Sequence, residues 1–250
     1  MNWKCDFSYR HYFEVLDYAK DHYYIYPISE IPKSNNKNQF LVLRHDIDFS
    51  LDYALRLAEK EHKKGIASTY FVLLHCEYYN ALSEDGTKVI RRISELGHEI
   101  GLHYDTNFLT EKPSSAIRQI KEEKRLLENI TNKKVVSVAQ HNPSISRKLN
   151  LSLEKHSLVD AGNSRHMDGV KYISDSVQNW RNGCMCNHVE REKKLQILTH
   201  PLWWSSRPTS RTKILSILQK DKTAKIQRLV KSSHHVHESY IRNLRSRNIN

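Results

Sequence analysis

Cysteine is scarce: the 250-residue chain has four, at positions 5, 76, 184 and 186. That is too few for a disulfide framework at this length, and it fits a reducing compartment. Long apolar runs are missing as well. Only 38% of residues are hydrophobic, and no stretch approaches the roughly 18 consecutive apolar residues that span a bilayer. The first residues, MNWKCDFSYRHYFEVL, contain no continuous apolar segment ahead of a small-residue cleavage site, so no secretory leader is expected. These absences predict a cytoplasmic protein. No internal repeat of fixed period and no long low-complexity segment is present.

Acidic residues are also in short supply. Asp and Glu number 28 against 40 Lys and Arg, for a formal charge of +12. A basic surface attracts nucleic acid, acidic lipid head groups, or phosphorylated and acidic sugars. The excess is uneven: residues 205–250 carry eleven Lys and Arg, opposed only by Asp221 and Glu238. That segment reads as a basic helical extension of a single 1–250 domain. It is either a solvated tail or a peripheral contact with an acidic surface such as the inner membrane. No nucleic-acid motif accompanies the charge, so nucleic acid is not the expected partner.

What is present is a repeated event: a strand-like apolar run ends, and an Asp or His follows at once. It occurs in LVLRHDID (41–48), STYFVLLH (68–75), GHEIGLHYD (97–105), VVSVAQH (135–141) and LQILTH (195–200). Helical patterns separate most of these runs. A first helix is expected over 8–21 and others over 51–64, 86–96 and 113–129, with two more over 209–220 and 222–245. Strands are expected at 40–44, 67–74, 98–103, 135–139, 158–161, 170–173 and 195–199. Such β/α alternation predicts an α/β fold with a parallel sheet. The carboxyl ends of its strands share one rim, where active sites sit.

Asp46 and Asp48 are two apart, so on a strand both carboxylates face one side. Two carboxylates that close raise each other's pKa, and a bound cation resolves the conflict. His98 and His103 are separated by about 16 Å of strand and cannot share one metal. The carboxyl-end rule selects His103 and leaves His98 as a packing or hydrogen-bonding residue at the opposite end. Gly101, beside the site, permits close backbone approach. His141 is a candidate third ligand or an orienter of the base. His200 stands where a general acid could protonate a leaving amine. Trp203 and Trp204 are either an apolar wall against a sugar ring or core packing. Asp175 and Arg181 are candidate substrate contacts, and Arg181 could hold a carboxylate or phosphate. Cys184-Met-Cys186-Asn-His188 resembles a fragment of a zinc site but lacks a second half, so a surface loop is expected there. His234-His235-Val-His237 is a metal scavenger or part of a solvated basic helix.

Together, LRHDID, STYFV, GHEIGLHYD and LTHPLWW resemble the polysaccharide deacetylase superfamily (NodB-homology, carbohydrate esterase family 4-like). The H-D-x-D first motif resembles its WbmS-like branch, and the resemblance runs from about Phe40 to Trp204. It implies a distorted (β/α)7 TIM-like barrel and a divalent metal, usually zinc. It implies Asp46 as base, Asp48 and His103 as metal ligands, and His200 as acid. The family's second motif usually has another His four residues after the first, where this chain has Asn107. The third ligand is then expected from His141, Asp105 or Asn107, with His141 preferred. The family's usual later arginine is not evident near 140–143, and Arg44 or Arg181 could replace it. The expected activity is metal-dependent removal of an acyl group from an N-acylated sugar in bacterial surface-polysaccharide (O-antigen or capsule) biosynthesis. A nucleotide- or lipid-linked precursor is the expected substrate, with Arg44, Asp105, Asp175, Arg181 and Trp203 contacting it. The alternative is a catalytically silent relative that binds a sugar or a partner.

Overall fold

A computed structural model describes residues 3–31, 39–162, 167 and 169–247. Its strands are β1 (Tyr24–Tyr26), β2 (Phe40–Ile47), β3 (Thr69–Leu73), β4 (Glu99–Tyr104), β5 (Ser137–Gln140), β6 (Val159–Asp160), β7 (Lys171–Ser174) and β8 (Lys194–Thr199). Its helices are α1 (Tyr9–His22), α2 (Leu51–Lys63), α3 (Glu84–Glu95), α4 (Pro113–Thr131), α5 (Met185–Val189) and α6 (Arg211–Arg247). The chain divides into two compact units, Met1–Pro208 and Thr209–Asn250.

All strand pairs of the first unit are parallel, in the order β6-β5-β4-β3-β2-β8-β7. The chain steps outward from β2 to β6 through crossover helices. It then returns to add β7 and β8 on the other side of β2. Among the described residues no pairing joins β6 to β7, so the sheet is an open, TIM-like half-barrel. β1 is an addition to the expected strands. Its three residues are too short to show a pattern, and they become a strand by pairing with Phe40–Val42.

β2 is buried along its whole length, as a central parallel strand must be, yet it carries Arg44, His45 and Asp46. Its alternation sorts these groups. Leu41, Leu43, His45 and Ile47 face one way; Phe40, Val42, Arg44 and Asp46 face the other. Phe40 and Val42 pack with Phe71 and Ala139 on the inner face of the sheet. Ile47 joins the larger cluster with Leu51, Ala54, Ala58, Ile90, Ile93 and Ile120 of α2 to α4.

Under the helices lies a buried polar knot around Glu61 of α2. Tyr12 of α1 donates to it, as do His45 Nε2 at 2.9 Å, Ser68 Oγ at 2.7 Å and the Tyr70 hydroxyl at 2.9 Å. Burial alone would raise the Glu61 carboxyl, but His45, then His98 and the Tyr12 hydroxyl, hold it down at about 2. His98, expected to pack or to hydrogen-bond, does the latter: Nε2 donates to Ala58 O at 3.0 Å and Nδ1 accepts from Ser68 N at 3.3 Å.

Two local features bound α3. Ser83 caps α3 by accepting from Gly86 N at 3.1 Å, with Glu84 and Asp85 in the first turn. Gly97 ends it at φ +91°, the left-handed conformation glycine tolerates best. In the second unit α6 is one 37-residue helix rather than two. Asp221-Lys222 contains no Gly or Pro, so nothing there breaks the backbone ladder.

Candidate active site

β2 ends in Arg44 and Asp46, side by side on the inner face. The Arg44 guanidinium grips the Asp46 carboxylate as a fork, with Nε to Oδ1 at 3.1 Å and Nη2 to Oδ2 at 2.6 Å. It also lies 4.9 Å over the Phe71 ring. Phe71 fits there because its neighbour on β4 is glycine: a Cβ on Gly101 would fall 2.4 Å from the ring. Burial works to raise the Asp46 carboxyl, but Arg44 and then His103 outweigh it and hold it below the usual range. Arg44, expected to contact substrate, is buried, has its guanidinium engaged by Asp46, and does not line the cavity.

Asp48 lies just past the strand end and keeps a different kind of freedom. Its Oδ1 is buried and accepts no hydrogen bond, with His103 Nε2 at 3.4 Å as an ion-pair contact. Its Oδ2 is 3.5 Å from His200 Nε2. Burial works to raise this carboxyl, and His103, His200 and His141 drive it well below the carboxylate range.

His103, in β4, donates from Nδ1 to Ala139 O at 3.0 Å. That orients the ring with Nε2 toward the carboxylates, the orientation metal-ligating histidines take. Burial would lower this imidazole, but Asp46 and Asp48 reverse the sign and raise it. His141 follows β5. Its ring lies edge-on to His103, with centroids 5.2 Å apart at 76°. Nδ1 donates to Asp105 Oδ2 at 3.1 Å, and Nε2 accepts from Asn142 Nδ2 at 2.9 Å. Asp105 thus orients His141. Asn107, one of the expected candidates for a third ligand, turns outward and accepts from Arg147 N at 3.2 Å.

Asp48, His103 and His141 each offer a donor atom within 4.8 Å of the other two. The residues fit a divalent cation: one carboxylate oxygen without a hydrogen bond, and one imidazole oriented by a backbone carbonyl. The second imidazole is backed by a carboxylate. Asn142 must release His141 Nε2 for that ligand to engage.

His200 follows β8 and is the best-supported side chain of the rim. Asp175 accepts from its backbone N at 3.0 Å and from its Nδ1 at 2.6 Å. Asp175 also accepts from Trp204 Nε1 at 2.9 Å. Three N–H donors converge on this fully buried carboxyl, an arrangement that suits an anion. Burial raises Asp175 and would lower His200, but the paired charges push His200 up to about 9. The pair is therefore read as carboxylate and imidazolium at neutral pH. Asp175, expected to contact substrate, instead holds His200; with no exposure it cannot reach a ligand. Arg181 is exposed and lies outside the cavity lining.

Beside these groups opens a cavity of about 430 Å³, lined by Asp48, His141 and His200 together with Phe49, Phe108 and Trp203. The two tryptophans divide the roles expected of them. Trp203 lines the cavity against Phe49, while Trp204 is fully buried, packs on Tyr12 and Phe7, and holds Asp175. At the rim, Val177 adopts φ 54°, ψ 36°, a left-handed conformation that is strained for a β-branched residue. The Glu61 knot, the Arg44–Asp46 fork and the Asp175 clamp were not anticipated. Only the fork had a local signal, since Arg44 and Asp46 share a strand face.

No family model matches the chain, and no curated protein does. Solved structures with a similar chain path exist. A CE4 family pseudoenzyme from Bacillus anthracis is 18% identical at TM-score 0.48, over 77% of this chain and 63% of that one. A family 4 carbohydrate esterase from the same organism is 14% identical at TM-score 0.46, over 84% and 85%. A chitin deacetylase from Colletotrichum lindemuthianum is 17% identical at TM-score 0.43, over 73% and 81%. The chain spans less than two thirds of the pseudoenzyme chains it matches.

Proposed function

We propose that this chain is a divalent-metal-dependent hydrolase that removes an acyl group from an N-acylated sugar. One observation carries the reading: Asp48, His103 and His141 converge within 4.8 Å, with the buried Asp48 Oδ1 left unbonded, and Asp48 and His141 line a cavity that Phe49, Phe108 and Trp203 also line. Asp48 and His103, with His141, would hold the metal. Zinc suits this donor set. A divalent cation there supplies Lewis acidity toward the acyl carbonyl and lowers the pKa of water.

The protein's own groups do the rest. Asp46, held anionic by Arg44, accepts a proton from the attacking water. Water adds to the carbonyl carbon and the C–N bond breaks. His200 Nε2–H, charged through Asp175, gives its proton to the departing amine, and the acyl group leaves as a carboxylic acid. Phe49, Phe108 and Trp203 offer apolar faces suited to a sugar ring.

The finer assignment rests on motif and charge. The H-D-x-D motif favours the WbmS-like branch and a role in O-antigen or capsule biosynthesis. Four free cysteines favour a cytoplasmic setting, and no described helix is long and apolar enough to cross a membrane. The basic charge favours a nucleotide- or lipid-linked substrate, with α6 against an acidic membrane surface.

A second reading, a catalytically silent sugar- or partner-binding protein, is favoured by Asn107 facing away and by Asn142 occupying His141 Nε2. Metal content and turnover of N-acetylated nucleotide sugars separate the two. Asp48→Ala should lose one equivalent of metal, whereas Asp46→Asn should keep the metal and lose turnover. Full turnover in Asp46→Asn on a confirmed substrate would sink the mechanism. An Asp48 site that stays empty after metal is added back would establish the silent reading.

A further inference from the structure

A second group of metal-binding side chains lies apart from the cavity. Where the sequence pointed to a surface loop at Cys184–His188, both thiols are buried, at 4% and 1% exposure. Cys5 and His11 join them from the other end of the chain. Each of Cys5, His11, Cys184 and Cys186 offers a donor atom, and all four lie within 4.8 Å of one another. The His11 ring is fully buried; Nε2 is 3.1 Å from Cys184 Sγ, and Nδ1 has no hydrogen-bond partner. None of the four cysteines is in a disulfide. His188, the histidine of the local fragment, is engaged elsewhere, with Nε2 against Asn182 O at 2.7 Å.

We propose that Cys5, His11, Cys184 and Cys186 form a structural zinc site with three sulfur ligands and one nitrogen ligand. Zinc binds Cys sulfur at about 2.3 Å and His nitrogen at about 2.0–2.1 Å in a tetrahedron. Neighbouring donors then stand roughly 3.3–3.8 Å apart, so four donors within 4.8 Å close on an ion with small side-chain adjustments. The set is complete at four protein ligands, which leaves no open position for water and marks the site as structural. Three thiolates also select zinc over magnesium, calcium and manganese, a stricter choice than the Asp48 site makes. Binding releases one proton from each thiol that enters as thiolate.

The placement gives the ion a task. It would tie the N-terminal segment and the start of α1 to α5 across most of the chain length. Within that segment Phe7 packs on Trp204 at 5.2 Å and Tyr12 packs on it at 4.9 Å. Trp204 in turn holds Asp175, which holds His200. The zinc would brace the layer behind the His200 support without touching the cavity. It stands whether or not the hydrolase reading does, since it shares no residue with that site.

The test uses the full chain without an affinity tag, stripped with a chelator and titrated with Co²⁺. A sulfur-to-cobalt charge-transfer band in the near ultraviolet should saturate at about one equivalent and be displaced by zinc. Cys184→Ser and Cys5→Ser should lose the band, and Asp48→Ala should keep it. The wild-type spectrum decides alone if the cysteine variants do not fold. Cobalt taken up without that band reports carboxylate or histidine sites only, such as Asp48 or His234–His237, and overturns the proposal. A Cys5–Cys184 or Cys5–Cys186 disulfide in protein isolated without reductant overturns it equally.

Discussion

Replacing Asp175 with Asn isolates the electrostatic support of His200. The substitution keeps shape, and the new amide oxygen can still accept from Trp204 Nε1. Its Nδ2, however, meets the His200 N–H groups donor to donor, and the negative charge is gone. The rise of His200 from 6.5 to about 9 corresponds to about 3 kcal/mol at 1.36 kcal/mol per pKa unit. The folded pKa is raised, so this stability is fully present below about 6.5 and is lost as pH rises through about 9. Urea unfolding of chelator-treated wild type and Asp175→Asn, from about pH 6 to 9.5, reads it directly. The wild type should be more stable at the acid end, and the gap should narrow across that window by at most about 3 kcal/mol, since Asp48 and Asp46, which also raise His200, remain in the variant. Other groups that titrate in both proteins, His103 among them, largely cancel in the difference. The His200 ring resonances should show a midpoint near 9 in the wild type and a markedly lower one in the variant. Parallel stability curves with equal midpoints would refute the clamp as the source of the His200 charge.

Three further outcomes follow from the same packing. Arg44→Ala leaves the Asp46 carboxylate buried without its fork and should cost about 3–5 kcal/mol by denaturant unfolding; a cost under about 1 kcal/mol would mean that Asp46 is solvated or neutral. Gly101→Ala forces a Cβ to within 2.4 Å of the Phe71 ring and should destabilise by about 1–3 kcal/mol, with Phe71 displaced from beneath Arg44 in a crystal structure. Glu61→Gln tests the knot under the helices. The folded Glu61 pKa is depressed from 4.5 to about 2, so its contribution of about 3 kcal/mol is present above 4.5 and lost as pH falls through about 2. The variant should be less stable near pH 6 and lose less between pH 4.5 and 2, measured by acid titration of ellipticity.

Much of the site was legible along the chain because parallel β/α topology turns a local signal into a spatial one. A residue at the carboxyl end of a strand reaches the shared rim whatever its distance in sequence. That rule alone brought Asp46, Asp48, His103, His141 and His200 together, and it separated His103 from His98. Strand alternation did the same for Arg44 and Asp46, whose common face was readable even though their fork was not foreseen.

The rest depended on register and return of the chain, which no local pattern encodes. Asp175 reaches His200 because β7 pairs with β8 so that Ser174 lies against Leu198. Glu61 is charged in the core because α1, β2 and β3 each bring a donor to one point of α2. Cys5 and His11 meet Cys184 and Cys186 because α1 packs on α5. The sequence by itself determined which strands would end in chemistry, since backbone periodicity and strand direction are local properties. Only the tertiary structure decided which buried charge pairs with which, because an ion pair or a metal group is set by distances between elements rather than along them.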